Sequence, residues 1–260
     1  MSDSPNPLIV GWSIWRSLRT VRPPRPAGSE AWDHRALAPP LRELASAGPR
    51  VLPDLTGPLG LYVAEAERAD PDLLTADEAL AFWINLYNAG ALLLAAEASR
   101  TGEPSVLRVP GGFRRPFVTV AGEDLSLDAV EHAKLRRLGD PRIHAALVCG
   151  SVSCPTLRSE PYGSGNVSTQ LDGQMRRLLA DGAMVVDRAA RRVELSRIFL
   201  WYGADFVRPH RMPTFLPAGR SRILESLRPW MPPDLAKWVT TVRPNVGFQD
   251  YDWGLACAVR

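Results

Sequence analysis

Apolar residues crowd one stretch of this chain above all others. From Leu80 to Leu94 the sequence reads Leu-Ala-Phe-Trp-Ile-Asn-Leu-Tyr-Asn-Ala-Gly-Ala-Leu-Leu-Leu, and Asn85 and Asn88 are its two carboxamides. Just before it, Thr75-Ala-Asp-Glu78 has the spacing of a capping box, in which threonine and glutamate each satisfy an orphan amide. The pattern predicts a helix from about Thr75 to Ala96 that is apolar almost all round, hence central and buried rather than a surface amphipath. Asn85 and Asn88 stand three apart and share a face, and burying them is costly unless their polar atoms find partners. They are expected to pin neighbouring backbone, the loop at Ser151 to Cys154 in particular, with a structural role as open as a role in a site.

A second apolar run, Arg142-Ile-His-Ala-Ala-Leu-Val-Cys149, is nonpolar on both alternating faces apart from His144. It predicts a strand over Ile143 to Cys149, buried on both sides and packed beside the central helix. Gly150 would end it, and Pro155 would restrict Cys154 to extended backbone in a loop at the strand end.

Shorter signals fill in the rest. Phe117 to Leu125 reads as a hairpin around Gly122, and Ser126 as the cap of a helix over Leu127 to Arg137 that carries Glu131 and His132. Thr169 to Ala180 is amphipathic, and Met184 to Asp187 with Arg192 to Leu195 forms another hairpin. Ser196 starts an aromatic helix over Arg197 to Tyr202, helical patterns cover Ser221 to Leu227 and Pro232 to Val239, and Val246 to Trp253 alternates like a last strand. Helices and short strands do not alternate regularly, which predicts an α+β fold: a central buried helix packed on a small, mostly antiparallel sheet with several surrounding helices. Arg22-Pro-Pro-Arg-Pro26 and Pro39-Pro40 mark residues 1–51 as a Pro-rich arm, leaving 52–260 as a single domain. Within the arm, Leu8 to Trp15 is too short to span a bilayer and has the wrong flanks for a secretory signal, so a docked helix or strand is expected and stable membrane insertion is not.

Composition narrows the function. The chain has 31 basic against 28 acidic residues, which argues against nucleic-acid binding. Three cysteines, without a C-x-x-C pair, argue against a disulfide scaffold or a common zinc module and favour a reduced compartment, with cytoplasmic location expected. No cofactor is indicated; the expected partner is a small-molecule or peptide substrate, and oligomeric state is not legible.

The loop thiol is the one concentration of reactive chemistry. A thiol enzyme needs a cysteine activated to thiolate, an imidazole, a group that orients it, and donors for an oxyanion. Cys154 is the candidate nucleophile, His144 or His132 the base, and Asn85, Asn88 or Glu131 the orienter. Along a strand His144 and Cys149 would lie about 17 Å apart on opposite faces, so that pair cannot be a dyad. His144 reaches Cys154 only if the chain reverses at Gly150, whereas His132 carries no such restriction. A thiol-dependent hydrolase or acyltransferase is one reading; a noncatalytic ligand- or protein-binding domain with structural Asn, His and Cys is another. A metal site using His132 or His144 with Cys149 and Cys154 is a third, against which the spacing of the cysteines speaks.

Ala81-Phe-Trp-Ile-Asn-Leu-Tyr-Asn-Ala89, Leu125-Ser-Leu-Asp-Ala-Val-Glu-His132, the run from Arg142 to Pro155, Leu195 to Phe206 and Tyr251-Asp-Trp253 together resemble the domain-of-unknown-function family 547, in order over roughly residues 52–256. Val130 stands where the family usually shows isoleucine, and Gly254 where it usually shows serine. The family has no settled activity; the resemblance implies a distant similarity to papain-like cysteine enzymes. In that fold the nucleophile opens the central helix, whereas here that helix offers Asn85 and Asn88, so catalytic groups would have to be relocated. Plant members carry the domain beside coiled-coil segments; this chain is expected to be a bacterial-type standalone domain.

Overall fold

The computed structural model describes residues 6–257. In chain order it contains α1 (Pro7–Thr20), α2 (Ala38–Ala47), α3 (Thr56–Ala66), α4 (Ala76–Thr101), β1 (Pro116–Val120), β2 (Glu123–Ser126) and α5 (Leu127–Ala129). There follow α6 (Val167–Leu178), β3 (Met184–Asp187), β4 (Arg192–Leu195), α7 (Arg197–Val207), α8 (Arg220–Ser226), α9 (Pro233–Val242) and β5 (Asn245–Phe248). The fold is α+β, with the strands in two separate small sheets rather than one. The first is the antiparallel β1–β2 hairpin, whose turn places both Ala121 and Gly122 at positive φ, the twist that suits a two-residue loop. The second runs β3-β4-β5, antiparallel between β3 and β4 and parallel between β4 and β5.

Helix α4 is the axis of the molecule. The Thr75 hydroxyl accepts from the Glu78 amide at 3.2 Å, Asp77 and Glu78 sit in the positive first turn, and Gly102 closes the helix in the left-handed region. Only half of the expected capping box forms. The Thr75 amide donates instead to the Glu30 carbonyl, and the Glu78 carboxylate meets His34 Nε2 at 2.9 Å. His34 in turn contacts the Tyr62 hydroxyl on α3, and Leu37, Leu41 and Leu44 bury themselves in the same core as α4. By length and apolarity α4 is a helix that could cross a membrane, yet its surface is covered by the protein itself. Trp83 and Leu92 are both buried, as the all-round apolarity predicts.

The run from Ile143 to Cys149 is interior but is not a strand. Pro141–Ala145 forms a 3-10 turn, with Pro141 at its first position and the Asp140 carboxylate accepting from the Arg142 amide at 2.9 Å; Ala146 to Cys149 continues without strand pairing. The Ala146 and Leu147 amides bond back to Ile143, so the segment finds its partners locally. A short apolar run reports burial on all sides and does not distinguish a strand from a buried turn.

The helix expected from Leu127 to Arg137 also departs from regularity. After α5, capped by Ser126, it widens into a π turn over Val130–Lys134 and tightens into a 3-10 turn over Leu135–Leu138. The last strand is shorter than its alternation suggests. Beyond Phe248 the chain bends back, and residues 252–256 bond residues 150–153 through Gly254 O, Asp252 O and the Ala256 amide.

Gly90 of α4 faces the Phe117 ring of β1 so closely that a methyl group there would collide with it. Gly90→Ala is expected to destabilise the fold by about 1–3 kcal/mol in urea unfolding. Phe117→Leu added to it should recover part of that loss, and no recovery would place the cost elsewhere.

Candidate functional site

Two carboxamides on one face of α4 set out the site. Asn88 Nδ2 donates to the Ala146 carbonyl at 3.0 Å while its Oδ1 accepts from the Val148 amide at 3.0 Å. Asn85 does the same with a single residue, donating to the Tyr162 carbonyl at 2.8 Å and accepting from its amide at 2.9 Å. Each side chain thus imitates the edge of a neighbouring strand. The expected contact with the Ser151 to Cys154 loop is not made. A carboxamide satisfies one carbonyl and one amide facing the same way, and the backbone on either side of the loop offers that geometry.

Between these clamps the chain reverses at Gly150, whose φ of 79° is natural only for glycine and whose missing Cβ would press on Ala95 and Val106. The reversal brings Cys149 Sγ to 3.1 Å from Cys154 Sγ. The Cys149 sulfur also lies 2.9 Å from the Ser151 hydroxyl and 3.3 Å from the Tyr251 hydroxyl, which are themselves 2.9 Å apart. Hydrogen bonding from Cys154, and then from Ser151 and Tyr251, outweighs burial and lowers the Cys149 thiol to about 7. Burial and the charge on Cys149 push Cys154 well up, and burial raises Cys257 to about 12. The sequence points to Cys154 as the nucleophile; in the structure two hydroxyls surround the Cys149 sulfur, while the Cys149 amide donates to Cys154 Sγ at 2.8 Å.

Tyr251 arrives on the returning C-terminal segment, in a mutually packed set with Trp201 and Trp253. On the other side, a small cavity of about 30 Å³ lies beside Cys154 between Leu92, Val152, Pro155 and Leu157. The amides of the loop are already engaged: Ser151 N on the Cys149 sulfur, Val152 N on Gly254 O, Ser153 N on Asp252 O and Cys154 N on Ser151 O.

The histidines gather elsewhere. His144 Nε2 meets Asp205 Oδ2 at 3.0 Å and its ring stacks on Tyr202 at 4.0 Å. Arg136 grips the same carboxylate with Nε at 2.8 Å and Nη2 at 3.0 Å. His132 Nδ1 lies 3.4 Å from Arg136 Nη1 and 3.9 Å from Glu131 Oε1, and the Tyr202 hydroxyl donates to Glu131. Glu131 and His132, adjacent within the π turn, both face this cluster. Burial dominates both imidazoles and favours the neutral ring, lowering His132 to about 4 and His144 as well despite Asp205. Asp205 is fully buried, and the His144 and Arg136 hydrogen bonds overcome that burial to keep it ionised. For Glu131 too, burial is outweighed, by the imidazoles, Tyr202 and Arg136.

Among the described residues neither thiol hydrogen-bonds an imidazole, and no three His, Cys, Asp or Glu side chains are placed to hold a metal ion. Burial, and then the nearby charges of Glu131 and Cys149, raise the Tyr87 hydroxyl of α4 well above its ordinary value. Reading the sequence did not foresee the contact between Cys149 and Cys154, nor Ser151, Tyr251, Arg136, Tyr202 and Asp205 as partners of the candidate residues. The signal was present, because Tyr202, Asp205 and Tyr251 all lie inside the quoted motifs.

Fold and site together define an α+β domain in which one buried helix frames a dithiol loop. Residues 71–179 match the model of the family described as "Protein of unknown function, DUF547". The match contains both asparagines, both histidines and both loop cysteines, while Tyr202, Asp205 and Tyr251 lie beyond it. No curated protein and no solved structure matches the chain.

Asn88→Leu should destabilise the protein by about 1–3 kcal/mol for each backbone group left unsatisfied, read as a lower urea midpoint. An unchanged midpoint would remove the clamp from the account. Acid sensitivity has a defined sign. The unfolded chain protonates His132 near 6.5 whereas the folded protein takes that proton only near 4, so stability falls as pH drops through this window, by at most about 1.4 kcal/mol per pH unit for one such group. His144 contributes in the same direction. Urea midpoints measured from neutral to acid pH should therefore decline less steeply in His132→Phe than in the parent protein.

Proposed function

We propose that the chain is a dithiol enzyme of thiol–disulfide exchange, with Cys149 as the attacking sulfur and Cys154 as the resolving one. The observation that carries this reading is the 3.1 Å separation of the two sulfurs, about 1 Å longer than a disulfide bond. The hydroxyls of Ser151 and Tyr251 favour the thiolate at Cys149, and a thiol that ionises near ambient pH is the most effective attacker.

The Cys149 thiolate attacks one sulfur of a substrate disulfide, forming a mixed disulfide and expelling the other half as thiolate. That thiolate takes the proton of Cys154, whose sulfur then attacks Cys149, closes the Cys149–Cys154 disulfide and releases the second half. The substrate gains two electrons and the site loses two. In a reducing compartment, and the cysteine usage favours the cytoplasm, the resting form is the dithiol. The substrate class in this reading is a peptide or small-molecule disulfide. A hydrolase or acyltransferase on Cys154 with His144 or His132 as base draws less support: neither thiol bonds an imidazole, and the loop amides that could hold an oxyanion are bonded elsewhere.

Iodoacetamide labelling with mass mapping across neutral pH should show Cys149 reacting ahead of Cys154 and Cys257, with half-maximal rate near pH 7. Exposed to glutathione disulfide, the parent protein should end as an intramolecular disulfide, whereas Cys154→Ser should stop at glutathionylated Cys149. If Cys149 labels no faster than the others and no internal disulfide forms, the reading fails and the domain is a binding module whose polar core is structural.

A further inference from the structure

Helix α1 is docked with its apolar side outward. The Ser13 hydroxyl donates to half-buried Asp128, and Arg137 donates from Nη2 to the Leu18 carbonyl at 2.6 Å and from Nη1 to the Val21 carbonyl, holding the C-terminal end of the helix. Ser13 and Ser17 are therefore buried, while Leu8 is 83% exposed, Trp12 58% and Trp15 53%. At about 100° per residue, Leu8, Trp12, Trp15 and Arg19 all fall on the side facing away from Ser13. Two hydrogen-bonding anchors fix this orientation, and an ordinary surface helix would present the reverse.

The charges beside that face select its partner. Residues 4–29 contain Arg16, Arg19, Arg22 and Arg25 and no acidic residue. Arg16 lies over the Trp12 ring at 5.6 Å and Arg19 over Trp15 at 5.1 Å, so each exposed indole carries a guanidinium at its edge of the face. Arg22 is drawn aside by Glu123, but Arg16, Arg19 and Arg25 are exposed. Indoles flanked by arginines at an apolar face match the boundary between acyl chains and anionic headgroups. A second copy of the chain is a poorer fit, because it would bring a second set of arginines and no acidic residue of 4–29 to the contact.

We infer that α1 is an interfacial helix that seats the protein on a bilayer surface bearing anionic phospholipid headgroups, lying in the interface without spanning it. Flotation of the full chain with vesicles tests this. Vesicles of equal parts phosphatidylglycerol and phosphatidylcholine should carry the protein, and vesicles of phosphatidylcholine alone should carry far less. Partitioning should weaken with salt and fall about fivefold for each of Arg16→Gln and Arg19→Gln. Trp12→Ser combined with Trp15→Ser should lower it by at least about tenfold, with an unchanged melting curve because both rings are solvent-exposed. Absence of binding to the anionic vesicles at low salt would overturn the inference. So would binding that survives the tryptophan and arginine variants alike, or a concentration-dependent dimer that the tryptophan variant abolishes.

Discussion

The two carboxamides of α4 are the constraint on which the rest of the site depends. A helix buried on every side can accept neighbouring chain only if that chain's backbone groups are satisfied, and no strand is available beside residues 146–148 or Tyr162 to do it. Asn85 and Asn88 supply the missing edge, one amide and one carbonyl each. Their own burial cost is cancelled by the bonds they make, and the interaction is directional where apolar packing is not. Because the clamps hold residues 146–148 and 162, the thiol loop between them is a closed segment rather than a free one. Gln174 of α6 adds a third hold at the Thr156 carbonyl, 2.7 Å away.

The histidine cluster answers a different problem. Ile143 packs in the core built around α4, while Ala145 packs in a second core with α6 and α7, so the 3-10 turn lies on the seam between them. His144 sits in that turn and reaches Asp205 of α7, and Arg136 reaches the same carboxylate from the segment after the π turn. Three elements from both cores are thereby tied to one buried anion. Such a network adds little net stability compared with apolar packing, but removing one partner leaves an uncompensated charge, and so it specifies a single arrangement of the seam. This explains why polar residues recur in a run otherwise chosen for burial.

Much of this was legible in order and little of it in geometry. Helix α4 with its Thr75 cap, both hairpins, and the helices begun by Ser126 and Ser196 follow from periodicity and capping, which are local signals. The turn at 141–145 was hidden because burial on all sides erases the periodicity that distinguishes secondary structures. The π turn was hidden because one inserted residue leaves no mark on composition, although Glu131 and His132 both lie in it. At the site, Cys154 drew attention by its loop position, yet the chemistry of a thiol is set by what donates to it. The donors to Cys149 come from Ser151, two residues away, and from Tyr251 at the other end of the chain. Only tertiary structure brings that tyrosine near.

The misread strand and the paired thiols are one fact seen twice. Had residues 143–149 been a strand running straight into an extended loop, Cys149 and Cys154, five residues apart, would point to opposite faces about 17 Å from each other. Replacing strand pairing with the Asn88 clamp frees the chain to turn at Gly150, and that turn folds the second sulfur back onto the first. Two thiols in contact in a partly buried place cannot ionise equally, because a second negative charge would be unscreened beside the first. The hydroxyls of Ser151 and Tyr251 both lie on the Cys149 side and break the symmetry, lowering Cys149 while burial raises Cys154. The contact between the two sulfurs and the asymmetry of their surroundings therefore follow from an irregular backbone that the carboxamides of α4 hold in place.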